Sequence, residues 1–338
     1  MNLNVIMADT TLQSIPVSKL LLDLDNPRMY HHGVTDGGKV TVELKDEEIM
    51  NDILQNDEKL PELTKSIQSE GVRDAIYVIP QDGKFRVIEG NRRTVVMRKL
   101  NSVGYTNPNK PHLDFSVIPA QVLPESTDEK EVMKSKLIWQ TGKSAWGAYN
   151  VAAAVYRMRH QFLISIEDIA DVAQKSVRDI KEMLRAYNLY SEYVEETDDE
   201  NTSRFSYFSK DCPAIVRRWV AADDDHKSEY FEWIQPGPKQ RIRSVATRGG
   251  LRDFKDVVAN DSAITAFRNN PTMTVDEALE IVKDDDVTKG HPWLKHLEKV
   301  TNGLNGLDDE AIEKIKPEYK STLVALKRAV SGVLEDMA

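Results

Sequence analysis

The sequence has 338 residues, of which 40% are hydrophobic and 30% are charged, with a formal net charge of −10 and a mean hydropathy of −0.48. This size predicts two or three helix-rich globular domains, and no apolar run approaches the ~18 residues of a membrane span. The single cysteine, Cys212, excludes an intramolecular disulfide and a multi-cysteine zinc site, and the acidic balance argues against indiscriminate coating of nucleic acid.

The N-terminal part begins with short strands and turns. Residues 1–9 lack the basic region and long apolar core of a secretory signal, so we expect a cytoplasmic protein. Residues 15–22 predict a short strand and a turn, and Asn26-Pro27 predicts an extended or turn conformation. Residues 31–46 are rich in His, Gly and charge, which is typical of a loop or hairpin.

A helix and a β-hairpin follow. Residues 47–71 are typical of a helix in two pieces that are separated near Pro61, and Gly71 is a good C-terminal stop. Residues 75–80 predict a strand, and residues 81–84 predict its hairpin turn.

Residues 84–100 are the most informative stretch, because a strand pattern breaks at Gly90 and a helical pattern follows at once. Such a break leaves backbone N–H groups at a helix start, and Arg92 and Arg93 add planar donors suited to phosphate or carboxylate. A bound anion would offset the unfavourable position of two arginines at the positive end of a helix. The alternative is a solvated surface on which Glu89 and nearby acids neutralise both arginines. The stretch by itself favours neither interpretation.

Residues 115–122 predict one more strand, which Pro119 restricts to an edge or an end of a sheet. Residues 1–125 therefore predict a small α+β domain. Residues 129–140 and 145–161 are amphipathic and predict helices whose large aromatic side chains face the core rather than a ligand. These aromatic residues are Trp139, Trp146 and Tyr156.

Two short helical patterns meet at a tight turn over residues 174–176. Ser165 and Asp168 form a capping-box-like start for the first helix, and the spacing is that of a helix-turn-helix. Side chains at the start of the second helix would then reach phosphates and base edges of double-stranded DNA. These candidate residues are Lys175, Ser176, Arg178 and Lys181. The alternative is a plain helical hairpin within a bundle.

Residues 198–338 predict a mainly helical C-terminal region that starts with an acidic linker. Residues 239–255 carry six basic side chains and one acidic side chain, Asp253. They are therefore a second candidate phosphate-facing surface, and a solvated basic face is an equal alternative. The candidate DNA-binding residues here are Arg241, Arg243 and Arg248. Two apolar stripes near the end predict either a dimer interface or closure on the chain's own core. They consist of Trp293, Leu294, Leu297, Val300 and Leu304, and of Leu323, Leu326 and Val330.

Several of these segments, in this order, resemble the ParB family of chromosome- and plasmid-partition proteins, within the wider ParB/sulfiredoxin fold. The matching motifs are Ile15-Pro-Val-Ser-Lys-Leu, Asn26-Pro-Arg, Leu63-Thr-Lys-Ser-Ile-Gln-Ser-Glu-Gly, Tyr77-Val-Ile and Phe85-Arg-Val-Ile-Glu-Gly-Asn-Arg-Arg. The resemblance covers roughly residues 12–195. It implies a ParB-like N-terminal domain over residues 1–125, a helical helix-turn-helix domain over residues 126–197 and a C-terminal region over residues 198–338.

The resemblance also implies a ligand, because in that family the Gly-x-Arg-Arg element binds the triphosphate of a nucleotide, typically CTP. A DNA-loaded dimer can then close as a clamp. The implied nucleotide-binding residues are Gly71, Asp74, Glu89, Gly90, Asn91, Arg92, Arg93 and Gln140. The chain departs from the family at Asn91, where a glutamate is usual, at Asp74-Ala75, where Gln-Pro is usual, and at Trp139-Gln140, where Glu-Asn is usual. Sulfiredoxin chemistry is set aside, because the glycine motif has no cysteine.

The sequence thus predicts a ParB-like protein that binds double-stranded DNA, acts as a homodimer and is regulated by CTP or another nucleoside triphosphate with Mg²⁺. Partition, plasmid or phage maintenance, or defence would be its setting. A weak NTPase activity, a ParB-fold nuclease and an NTP-dependent phosphotransferase are alternatives, and no protein-built metal site is predicted. Candidate carboxylates for the enzyme alternatives are Asp74, Asp82 and Glu89. A further alternative is an adaptor that has lost both ligands.

Overall fold

A five-stranded mixed sheet organises the N-terminal part of the chain. The computed structural model describes residues 10–32, 35–36, 39–40, 47–139, 147–237, 240–243, 249–284, 300, 321–328 and 330. The strands are β1 (Thr11–Pro16), β2 (Leu20–Leu22), β3 (Thr35–Asp36), β4 (Lys39–Val40), β5 (Ile76–Gln81), β6 (Lys84–Glu89) and β7 (Val117–Val122). The sheet order is β1-β7-β5-β6-β2, and β3 and β4 form a separate small hairpin.

Helices precede, separate and follow the strands. They are α1 (Glu47–Gln55), α2 (Leu60–Glu70), α3 (Asn91–Ser102), α4 (Glu129–Trp139), α5 (Ala148–His160), α6 (Ile166–Ala173), α7 (Val177–Thr197), α8 (Ala214–Ala222), α9 (Asp224–Ile234), α10 (Leu251–Val258), α11 (Asp261–Asn269) and α12 (Val275–Asp284). Residues 321–328 are also helical. The α+β fold predicted from the sequence is therefore confirmed. No helix among the described residues combines the length and apolar character that a membrane crossing needs.

The sheet is covered on both faces, because strand side chains alternate between them. Ile76 and Val78 face a core that includes Val95, on α3. Ile79 faces the opposite way and packs with Val132, on α4. The C-terminal end of β6 and the start of β5 consequently lie between two layers of helices, and this is where the candidate site forms.

The strand pairing corrects one prediction. Pro119 was expected to restrict its strand to an edge or an end of a sheet, but β7 lies between β1 and β5. Pro119 is paired with Ser14 of β1, which is the outermost strand on that side. A proline removes one backbone donor and leaves its carbonyl acceptor, so the rest of the strand can keep its ladder on both sides.

The helical part has a core of its own. Its largest hydrophobic cluster includes residues from Tyr149 to Ala278 together with Tyr30 of the N-terminal part, and it is rich in ring contacts, such as Tyr193 against Phe231 with centroids 5.4 Å apart. The cluster crosses position 197, and the domain boundaries at positions 125 and 197 stay predictions. The aromatic residues that follow the acidic linker thus pack inward.

Candidate functional site

Gly90 turns the chain from β6 into α3, and no other residue type fits there. Its φ is 111°, and a Cβ at this position would lie 2.3 Å from Ile76 Cγ2. This sharp turn directs the first turn of α3 toward the layer between the helices. The first N–H groups of a helix have no partner within the helix, and the first turn of α3 carries no acidic residue.

A cavity of about 290 Å³ opens at this helix start. Its walls come from the segment around residues 26–28, from the C-terminal end of α2, from the β6–α3 junction and from α4. The predicted nucleotide-binding residues that line it are Gly71, Asp74, Glu89, Gly90, Asn91, Arg92 and Arg93. The structure therefore brings seven of the eight together, and the eighth, Gln140, lies outside the described residues.

The cavity is basic although the chain as a whole is acidic. Among the described residues, its lining has five basic side chains against two acidic ones, in a chain of net charge −10. The basic residues are Arg28, Arg73, Arg92, Arg93 and Lys136, and the acidic ones are Asp74 and Glu89. This local excess favours a multivalent anion.

The two motif arginines are oriented by neighbouring acceptors, of which Asp74 and Glu89 line the cavity and Asp57 does not. The Arg93 guanidinium donates to the Asp74 carbonyl and lies 3.0 Å from Glu89 Oε1. The Arg92 guanidinium lies 3.3 Å from Asp57 Oδ2. Both pairs are partly exposed, so an entering anion can exchange with these carboxylates.

Arg28 faces the same cavity and was not among the predicted site residues. Burial, and after it the neighbouring Arg92, lowers the pKa of Arg28, whereas Glu89 and Asp57 act in the opposite direction. Because the two guanidiniums repel each other, negative charge near both of them is stabilising. The Asn26-Pro-Arg motif carried this signal in the sequence, but only the fold brings it to the glycine motif.

Lys136 and Asn91 form the inner wall. Lys136 Nζ lies 2.6 Å from Asp23 Oδ2 and donates to the Asp25 carbonyl at 2.8 Å, with both charged side chains of the first pair almost fully buried. Asn91 Oδ1 accepts the Asp23 backbone N–H at 3.0 Å. A neutral amide suits this buried position, because a glutamate here would bring a second carboxylate toward Asp23. Asn91 therefore braces the wall through the backbone.

Trp139 packs against the core cluster of Ile79, Ile88, Leu123 and Val132, as expected, and it also lines the cavity. Its ring stacks on Tyr77 with centroids 4.6 Å apart. The periodicity of α4 showed that Trp139 is on an apolar face, but not that this face ends at a cavity.

The second candidate site is the helix pair α6–α7. Ser165 accepts the Asp168 N–H at 3.0 Å as predicted, and Gln174 turns the chain with φ 53°. Ser176 caps α7 in a reciprocal capping box with Asp179. The predicted DNA-binding residues Lys175, Ser176, Arg178 and Lys181 are all exposed at this helix start.

The arginines in the basic run of residues 239–255 differ in their environments. The Arg241 guanidinium donates to the carbonyls of Phe267, Asn270 and Met273, and it lies 3.6 Å from the centre of the Phe267 ring. These contacts use its donors within the fold, so Arg241 is not part of the DNA-binding proposal below. Arg243 is exposed, and Arg248 lies outside the described residues.

Comparison of the sequence with protein-family models and with curated proteins finds no match. Among solved structures, the chain is similar to the C-terminally truncated chromosome-partitioning protein ParB from Caulobacter crescentus complexed with CTP-gamma-S, with 18% identity and a TM-score of 0.26 over 67% of this chain and 99% of that one. The same ParB complexed to the centromeric parS site has 15% identity and a TM-score of 0.34 over 66% and 91%. The pNOB8-like ParB N-domain has 11% identity and a TM-score of 0.41 over 82% and 97%. ParB structures are thus among those to which the chain is similar.

Proposed function

We propose that the chain is a DNA-binding protein whose basic cavity binds the phosphates of a nucleotide, and that it acts in partition or in plasmid or phage maintenance. The observation that carries the proposal is the cavity itself, where five basic side chains surround a glycine-opened helix start. Guanidiniums and helix N-terminal N–H groups are the donors that proteins use for phosphate. CTP is the nucleotide that the sequence resemblance implies, and another nucleoside triphosphate is the alternative.

Magnesium would enter with the nucleotide. The described residues contain no cluster of three or more His, Cys, Asp or Glu side chains placed to hold a metal ion. Mg²⁺ commonly binds through substrate phosphates and one or two carboxylates, and Asp74 and Glu89 line the cavity. The residues present therefore fit a metal that the nucleotide brings.

The DNA-binding part of the proposal rests on α6 and α7. The three-residue turn between these helices and the exposed basic side chains at the start of α7 would allow α7 to lie in the major groove of DNA. A homodimer would pair two such helices on one DNA site. The apolar stripes proposed to form it lie mostly outside the described residues, while Leu323, Leu326 and Val330 are half-buried along one helix face.

Isothermal titration calorimetry with CTP, ATP and GTP, each with Mg²⁺ and with or without double-stranded DNA, tests the nucleotide. We expect at least one nucleotide to bind. Arg92→Ala should lower the affinity for that nucleotide at least about tenfold, because the variant removes a charged hydrogen bond. Lys99→Ala removes the same charge from an exposed position on the same helix and should leave the affinity unchanged. If no nucleotide binds the wild-type protein under any of these conditions, the proposed function is wrong.

A further inference from the structure

Asp57 lies in the turn between α1 and α2 and contacts Arg92, which lines the cavity. Its Oδ1 accepts the Lys59 backbone N–H at 2.8 Å, which holds the side chain at the start of α2. Its Oδ2 lies 3.3 Å from Arg92 Nη1, and the Asp57 and Arg92 side chains are 25% and 22% exposed. The turn therefore fixes one carboxylate oxygen and directs the other at an arginine that we assign to the ligand.

The negative charge of Asp57 also acts on Arg28. The pKa of Arg28 is lowered by burial first and by Arg92 second, and it is raised by Glu89 and Asp57. A carboxylate that acts on both guanidiniums takes the same electrostatic role as a phosphate between them. Glu89 has a comparable contact with Arg93, at 3.0 Å, and its effect on the pKa of Arg28 is larger than that of Asp57. Its side chain is 42% exposed, whereas that of Asp57 is 25% exposed.

We propose that Asp57 is an internal competitor of the ligand, whose carboxylate must leave Arg92 before a phosphate can bond there. Asp57 thereby lowers the affinity of the cavity for polyphosphates and sets the ligand concentration at which the site fills. This inference rests on the proposed function, because it takes the ligand to be a nucleotide polyphosphate. The physical reason is twofold: the carboxylate occupies donors that the phosphate needs, and its charge repels the phosphate at short range.

The substitution Asp57→Asn tests the roles of the two carboxylate oxygens separately. Asparagine keeps the oxygen that accepts the Lys59 N–H, and it replaces the charged oxygen near Arg92. With the full chain at constant ionic strength, calorimetry with CTP and with inorganic tripolyphosphate should show about fivefold tighter binding to D57N, the size expected for a partly exposed ion pair. Asp57→Ser keeps an acceptor for the turn without the charge and should show the same gain.

Two controls isolate the position of the charge. Asp57→Glu keeps the carboxylate and should keep the wild-type affinity. Asp82→Asn removes one negative charge at the hairpin turn, at the other end of the six-residue strand β6, roughly 20 Å from Gly90. It should change the affinity far less than D57N.

The outcomes separate this inference from the proposed function. If the wild type binds polyphosphate and both neutral variants at position 57 bind it equally or more weakly, Asp57 is not a competitor, and the nucleotide site stands. If neither the wild type nor the neutral variants bind CTP or tripolyphosphate, both proposals are wrong.

Discussion

At the scale of single residues, Gly90 is the position on which the cavity depends most directly. Gly90→Ala forces an L side chain to φ 111° and brings its Cβ against Ile76, so we expect the free energy of unfolding to fall by roughly 2–5 kcal/mol. Gly83→Ala is the matched control, because its φ is 74° but a Cβ there meets nothing within 4 Å. The control should lose about 1–2 kcal/mol, from the backbone alone. Urea denaturation of both variants measures the difference, and equal losses would contradict the steric argument.

Asp57 and Asn91 also combine a place at or beside the cavity with a structural contact to the backbone. Asn91 lines the basic cavity and Asp57 contacts Arg92 of its wall, yet each side chain also accepts a backbone N–H, from Asp23 and from Lys59 respectively. A residue near a ligand site is therefore best substituted by one that keeps the backbone contact, as Asp57→Asn does.

At the scale of elements, α7 should behave as a phosphate-facing helix. Replacing Lys175, Arg178 or Lys181 by alanine should weaken binding to double-stranded DNA and flatten its salt dependence by about one unit for each phosphate that the variant no longer binds. Lys130→Ala, at an exposed position on α4, is the charge-matched control and should leave both quantities unchanged. Fluorescence anisotropy at several salt concentrations provides the measurement. An unchanged slope in the triple variant would move the DNA-binding surface elsewhere.

The loop before α10 contains two nearby arginines, of which we expect one to contribute to stability and the other to contribute little. Arg241→Ala removes bonds to one carbonyl in the last turn of α11 and to two carbonyls after it, and it removes a ring contact. We therefore expect it to cost about 2–3 kcal/mol of unfolding free energy. Arg243 is exposed, and Arg243→Ala should change stability by less than about 0.5 kcal/mol. Thermal unfolding of the two variants tests this; a similar midpoint for both would show that the Arg241 contacts contribute little.

At the scale of the whole molecule, a buried ionic cluster joins the sheet to the helices. Lys136 on α4 is shared by Asp23 and Asp25, and Asp25 also pairs with Arg157 of α5. Lys136→Met leaves the 1%-exposed Asp23 carboxylate without its nearest cation, so we expect a loss of about 3–5 kcal/mol in unfolding free energy.

Two further variants check that assignment. Adding Asp23→Asn to Lys136→Met removes the stranded charge and should recover part of the loss. Lys134→Met breaks a more exposed pair with Glu131 on the same helix and should cost no more than about 1 kcal/mol. Urea denaturation, monitored by circular dichroism, measures the free energy of unfolding of all three variants. A double variant as unstable as the single one would show that packing, not charge, is responsible.

The sequence by itself determined the local features of this protein. The helix stop at Gly71, the break at Gly90, the cap at Ser165 and the turn at Gln174 were all predicted and are all present. Each depends on interactions within about four residues, through backbone dihedral angles, capping and the period of apolar positions. Such signals are complete within a short stretch of sequence. The seven nucleotide-site candidates that line the cavity came instead from the family resemblance.

Only the tertiary structure decided which distant residues join them. Arg28, Lys136 and Asp57 reach the glycine motif across separations such as the 35 residues between Asp57 and Arg92, which no periodicity encodes. The same holds for Pro119 in an inner strand and for Arg241, whose partners lie 26 to 32 residues further along the chain. A charge in the sequence can face solvent, a ligand or a carbonyl, and the choice among these depends on the packing of elements that are remote in sequence.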